Sequence, residues 1–320
     1  LRKLTGAGLA DCKKALDETV GDIEKAIEII RAKGQAIAAK RSDRETSNGC
    51  VLVKAENGFG AIIALKCETD FVANGKDYVQ LTQDIIDAAV AAKAKNLDEV
   101  KALTLADGTK VEDAVIARSG ITGEKMELDG YYFIEGENIY TYNHMNKNLL
   151  CTMAQTNKPA AEEGHAVTMQ IAAMKPIALD EASVPQEVKD EELKVAIEKT
   201  KEEQVEKAVQ AALKKAGFNL YIAESEEHIA EGIAKGNITE AQAEEIRKIK
   251  TTVAEEKAAS LPAEMVNNIA KGRMAKFFKE NCLLEQEFIQ DSKLSVGQYL
   301  KAADKDLTVL DFKRFTLRAE

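Results

Sequence analysis

Apolar positions recur along this chain in two different periods, and the switches between them mark its organisation. Near the start, Cys12, Ala15 and Leu16, then Ile23, Ile27 and Ile30, fall at three- and four-residue steps, the spacing of one helix face. A break at Val20-Gly21-Asp22 divides them into two short helices with Asp22 as N-cap of the second. Gly34, following Arg31 and Lys33, reads as its stop. Residues 35–49 turn small, basic and polar, a helical tail and linker ending in Ser47-Asn48-Gly49. From Cys50 the period becomes two: Val51 and Val53 alternate with Leu52 and Lys54, and Glu56-Asn57-Gly58 supplies hairpin-turn chemistry. Phe59 to Cys67 returns as a more continuously apolar strand, and a loop over Glu68 to Gly75 leads into a helix with Tyr78, Leu81, Ile85, Ile86 and Ala89 on one face.

A related order reappears downstream. Strands are predicted at Ile139 to Tyr142 and Leu149 to Gln155, then a loop at Thr156-Asn157-Lys158-Pro159 and a helix near Gly164 to Met174. The strand ends Cys67-Glu68-Thr69-Asp70 and Ala154-Gln155-Thr156-Asn157 match at the threonine, which points to two copies of a strand-strand-helix unit. After Pro185 a charged region runs to about Lys257, with Val205, Val209 and Leu213 at four-residue spacing and breaks at Gly217-Phe218-Asn219 and Gly236-Asn237. It reads as antiparallel helices projecting from the body, an excursion ended by Leu261-Pro262. A helix from Ala263 to Phe278, a strand around Leu283 to Ile289, a short helix from Ser295 to Ala302 and a last strand from Thr308 to Leu317 complete an α+β body.

Composition narrows the function. A chain of 320 residues fits two or three domains, and 45% hydrophobic with 31% charged residues is the balance of a folded, helix-rich protein. A formal net charge of −10 repels a phosphate backbone, and the densest basic stretch, Arg31 to Arg44, is mixed with acids and lacks interleaved aromatics, so nucleic acid is not expected as a direct partner. Cys12, Cys50, Cys67, Cys151 and Cys282 form no Cys-x-x-Cys pair and are odd in number, which argues against a disulfide scaffold or zinc site and for a reducing cytoplasm. No stretch approaches the ~20 apolar residues of a membrane span, and no charged-then-apolar signal segment opens the chain. The first residue is Leu1 rather than Met, which implies that a few residues precede it.

Enzymatic chemistry leaves little trace. His144, His165 and His228 lie far apart with no His-x-x-x-His or Cys partner, and surface or packing roles are their ordinary reading. Gly6-Ala7-Gly8 precedes no strand-helix crossover and lacks a third glycine, so a turn at a helix entrance fits better than a dinucleotide loop. No G-x-x-x-x-G-K-[ST] motif is present to hold a nucleotide phosphate. No cofactor or metal is expected, and any action on a nucleotide would pass through another protein.

Two motifs carry a resemblance. The run Leu1-Arg2-Lys3-Leu4-Thr5-Gly6-Ala7-Gly8-Leu9-Ala10-Asp11-Cys12-Lys13-Lys14-Ala15-Leu16, followed by Gly21-Asp22-Ile23-Glu24-Lys25-Ala26-Ile27, resembles the start of the bacterial elongation factor Ts family. Cys67-Glu68-Thr69-Asp70-Phe71-Val72-Ala73 resembles that family's Thr-Asp-Phe-Val signature, placed after the same hairpin. Weaker echoes lie at Met169 to Pro176, Gly272 to Phe278 and Ser295 to Leu300. The resemblance implies a small ubiquitin-associated-like helical domain (1–42), a linker (43–49), a core N-terminal subdomain (50–136), a core C-terminal subdomain (137–199 and 258–320) and an inserted, protruding antiparallel helical hairpin (200–257). Three departures accompany it. Gln170 stands where some members carry a histidine, the helical excursion is longer than in compact members, and the stop at Glu320 leaves out a C-terminal helix that some members dock on the partner.

By this resemblance the chain binds elongation factor Tu, GDP-bound or nucleotide-free, and promotes GDP release without being an enzyme. Thr69, Asp70, Phe71 and Val72 would dislocate the partner's magnesium, Phe71 as wedge and Asp70 fixing its direction. Leu9, Cys12, Met169, Gln170 and Met174 would add contacts. The plain alternative is that Asp70 caps a turn and Phe71 packs in its own core. Two other classes compete: a non-enzymatic adaptor or chaperone using the helical hairpin, and an enzyme whose site is assembled at long range from groups such as His165, Cys151 or paired carboxylates.

Overall fold

The computed structural model describes residues 1–320, which divide into two compact units, Leu1–Leu179 with Leu283–Glu320, and Asp180–Cys282. The first opens with three helices, α1 (Arg2–Thr5), α2 (Leu9–Glu18) and α3 (Ile23–Lys40). Asp22 caps α3 by accepting the Lys25 N–H at 3.2 Å. Gly34, expected to end α3, instead lies inside it. A Cβ there would stand 2.6 Å from Ile116 Cγ2, so the glycine is an approach point for a neighbouring helix rather than a stop.

Next come β1 (Asn48–Glu56), β2 (Phe59–Cys67), α4 (Asp70–Ala73), α5 (Lys76–Ala92), α6 (Leu97–Lys101), α7 (Val111–Thr122) and β3 (Glu127–Glu135). The β1–β2 hairpin closes on Asn57 and Gly58 with φ of 50° and 75°, the left-handed pair that a two-residue hairpin turn requires. The order β1-β2-β3 forms an antiparallel sheet, in which Asn48 pairs with Cys67 and Phe59 with Glu135. Arg31 of α3 pairs with Asp113 of α7 at 2.9 Å.

The second half repeats this plan with β4 (Ile139–Asn143), β5 (Leu150–Thr156) and α8 (Ala161–Met174). The chain then enters the helical unit, with α9 (Gln186–Lys215), α10 (Leu220–Ala223), α11 (Glu226–Ala234), α12 (Glu240–Ser260) and α13 (Ala263–Asn281). It returns through β6 (Glu287–Phe288), β7 (Asp291–Ser295), α14 (Val296–Ala303) and β8 (Val309–Thr316). β8 joins the second sheet in the order β4-β5-β8, as β3 joins the first. The strand expected at Leu283 to Ile289 shrinks to Glu287–Phe288, because Leu283 and Leu284 donate their N–H groups to Ala178 and Leu179 carbonyls instead.

Both faces of the central strands are buried, which explains the continuous apolar run of β2. Phe59, Ala61, Ile63 and Leu65 pack with Tyr78, Ile85, Ile86 and Ala89 of α5. Ile62 and Ala64 face the other way, against Cys151 and Met153 of β5. On the far side of β5, Ala154 packs with Val167 and Ile171 of α8. The layers therefore run helix, sheet, sheet, helix, and each fully buried Ile or Leu in them contributes roughly 1.5–3 kcal/mol of transfer free energy.

The helical unit has its own core of Leu213, Ala223, Ile229, Ala243 and Ile246. It is wider than the 200–257 excursion expected from sequence: α9 already begins at Gln186, and Leu261-Pro262 is only the corner between α12 and α13. The buried positions early in α9 are Ala196 and Thr200, too small or polar to register in a scan for apolar periodicity. No helix is long and apolar enough to cross a membrane.

Candidate partner-binding site

Thr69, Asp70, Phe71 and Val72 form one helical turn where β2 leaves the sheet. Thr69, in extended conformation, is the N-cap, and its hydroxyl accepts the Val72 N–H at 3.3 Å. The cap is thus Thr69, not Asp70, which is the first helical residue and exposed. Ala73 is buried and Val72 packs on the core below the first sheet, while Phe71 is 87% exposed. The plain alternative that Phe71 fills its own core is set aside by that exposure. Asp70, Phe71, Val72, Asn74 and Gly75 border an open groove whose far wall is Arg118 and Thr122 of α7.

The turn is held from outside its own sequence. Glu124 Oε2 accepts the N–H groups of Glu68 and Thr69, both at 3.0 Å, and Glu124 Oε1 accepts the Thr69 hydroxyl. Glu68 answers by accepting the Lys125 N–H at 2.6 Å and an N–H of Arg44 at 3.3 Å. Those contacts, the Lys125 amide first, hold the Glu68 carboxyl below the usual glutamate range. Asn48 donates to the Glu68 carbonyl at 3.0 Å, and Lys125 Nζ reaches the Ser42 and Arg44 carbonyls at 2.8 and 3.0 Å. Residues 43–49, expected as a plain linker, are therefore laced to the base of this turn. Beneath it the Tyr78 hydroxyl donates to the Leu65 carbonyl, and burial pushes its pKa far up.

The second copy of the repeat serves as an internal comparison. Thr156 turns its hydroxyl inward to the Lys158 carbonyl at 2.7 Å, Asn157 bonds Asp306 and Thr308, and Lys158 pairs with Asp304 at 2.8 Å. That loop is tied to its own unit and carries no aromatic; the first copy exposes one.

The remaining sequence candidates scatter. Leu9 is exposed and Met174 partly so, whereas Cys12 is buried. Gln170 is fully buried: its amide donates to Gln286 Oε1 at 3.2 Å and the Glu287 carbonyl at 3.0 Å, and it accepts the Ile289 N–H at 2.9 Å. Neither Cys12 nor Gln170 offers surface to a partner, and Met169 beside it is half-buried. His144 and His165 meet edge-on about Tyr142, with centroids 5.8 and 5.9 Å away, while His228 stacks on Tyr221 in the helical unit. Cys151 is sealed between the sheets, donating to the Val51 carbonyl at 3.3 Å, with its thiol pushed far up by burial. Sequence reasoning missed Glu124, Arg118 and Thr122, because their proximity to the turn depends on pairing some fifty residues away along the chain.

The family model for elongation factor TS matches residues 68–319, a span that opens on this turn. Elongation factor Ts of Parabacteroides distasonis is 61% identical over 320 residues, covering 100% of this chain and 97% of that protein. Elongation factor Ts of Bacteroides fragilis is 61% identical over 321 residues with the same coverage, and that of Porphyromonas gingivalis 41% over 321 residues, covering 100% of this chain and 96% of the relative. The chain belongs to the elongation factor Ts family.

Proposed function

We propose that the chain is a guanine nucleotide exchange factor: it binds elongation factor Tu, GDP-bound or nucleotide-free, by protein contact alone and speeds GDP release during translation elongation. Phe71 enters the partner's nucleotide domain near the loops that hold magnesium and the β-phosphate. Magnesium requires near-ideal octahedral oxygen geometry, so a small shift of its supporting loops weakens metal and diphosphate together. Asp70, at the head of the same turn, fixes the direction of entry, while Thr69 and Val72 hold the turn to the body. Leu9 and Met174 supply accessory apolar contacts. The exposed Phe71 on an anchored turn is the observation that carries this reading.

Coupling follows from linkage. If the chain binds the empty partner more tightly than the GDP form, GDP weakens the complex by the same factor, and each ~1.4 kcal/mol of difference is tenfold. The test is stopped-flow release of fluorescent GDP from elongation factor Tu. Strong acceleration by the intact chain and its loss in Phe71→Ala are expected; unchanged release with the intact chain would remove the assignment.

A further inference from the structure

We infer that Glu124 is a positioning residue for the proposed exchange activity, presetting the direction of Phe71 by fixing the cap of its turn; this rests on reading Phe71 as the wedge. A four-residue helical turn does not hold itself, because nucleation fixes several dihedrals for a single hydrogen bond. Here the cap is oriented by a relay. The Thr69 hydroxyl donates to Glu124 Oε1, which leaves an oxygen lone pair for the Val72 N–H at 3.3 Å. The other carboxylate oxygen takes the Glu68 and Thr69 amides at 3.0 Å, so three donors converge on one side chain.

Glu124 is itself positioned. Its carbonyl accepts the Ser119 hydroxyl, and its N–H reaches Thr122 Oγ1 at 3.3 Å. The next residue, Lys125, gives its N–H back to Glu68 at 2.6 Å. The Glu124 carboxylate thus holds the Glu68 and Thr69 amides while the Glu68 carboxylate holds the Lys125 amide, a two-way tie at the base of the Phe71 turn. Glu124 touches neither nucleotide nor metal in this scheme; its effect passes through Thr69 to Val72 and the turn between them.

The experiment compares Glu124→Ala and Glu124→Gln with the intact chain, alone and in a Phe71→Ala background, by stopped-flow release of fluorescent GDP from elongation factor Tu. Glu124→Ala is expected to lower the saturating release rate about tenfold, as the fraction of molecules with a preset turn falls. The half-saturating concentration should move less than about threefold, because contacts elsewhere remain. Glu124→Gln should recover only part of the rate, since its amide oxygen still accepts the two backbone N–H groups but its NH2 cannot accept the Thr69 hydroxyl proton. In the Phe71→Ala background the alanine at 124 should cost less than about twofold. An undiminished rate in Glu124→Ala, or the same full penalty in the Phe71→Ala background, would overturn the inference while leaving the exchange reading intact. An intact chain without effect on GDP release would instead overturn that reading and the inference with it.

Discussion

Phe71 and Val72 are neighbours in one helical turn with opposite fates: Phe71 stands 87% exposed, and Val72 packs on the core beneath the first sheet. An aromatic of this size is usually buried for its apolar area. Because Phe71 contributes little to its own fold, Phe71→Ala should change stability by less than about 0.5 kcal/mol. Thermal unfolding checks this. A large fall in Tm would mean that the ring packs internally.

Gln170→Ala should behave in the reverse way. It strips the Ile289 N–H and the Glu287 carbonyl of their buried partner, at a cost of about 1–3 kcal/mol. Exchange measured well below the lowered Tm should stay within about twofold, since Gln170 has no surface for a partner. A selective loss of exchange at unchanged stability would restore it as a contact residue.

Gly34→Ala sets helix propensity against packing. Alanine gains up to about 1 kcal/mol in a helix interior, but its Cβ meets Ile116 Cγ2 at 2.6 Å, and a β-branched side chain yields poorly. Overpacking at about 1–3 kcal/mol should win. Amide exchange in α3 and α7 should quicken, and Ile116→Ala in the same molecule should restore part of the loss.

Acid should loosen the anchor of the turn. The Glu68 and Glu127 carboxyls are both held below the usual glutamate value of 4.5, Glu68 by the Lys125 amide and Arg44, Glu127 by the Lys125 side chain and Thr46. A depressed folded pKa contributes stability above the unfolded value, and that contribution is lost as pH falls through the folded one. Hydrogen exchange of residues 42–48 and 68–75 should therefore rise as pH drops below about 4.5, after correction for intrinsic rates. Glu68→Gln should flatten that dependence.

Burial also governs the thiols. Cys50 is fully buried with its pKa raised to about 11, leaving roughly 0.1% thiolate at pH 8. Iodoacetamide should leave Cys50 unmodified in the native chain and label it after denaturation. Rapid native labelling at Cys50 would contradict the sealed core.

Where burial is one-sided or the turn chemistry local, the sequence was readable. Asp22, Asn57-Gly58, the apolar face of α5 and the helix α8 fell where expected, as did the doubled strand-strand-helix plan. The stretch from Lys93 to Asn138 carried no legible period. In α7 the buried residues include Ser119, and β3 shifts register against β2 at Asp129-Gly130, so neither shows a clean apolar alternation. Gly34 misled because a helix stop and a close helix contact call for the same residue. Glu124 was invisible for a simpler reason: its meaning lies in Glu68 and Thr69, which only the folded chain brings to it.

In the proposed complex Phe71 lies against the loops that hold the partner's magnesium and β-phosphate. Replacing Phe71 by the photoreactive analogue p-benzoylphenylalanine and irradiating the complex with elongation factor Tu tests it directly. A covalent adduct is expected that maps to the nucleotide domain beside the metal-holding loops and weakens when excess GDP and magnesium are added. An adduct elsewhere on the partner, or a cross-link only within the chain itself, would contradict it.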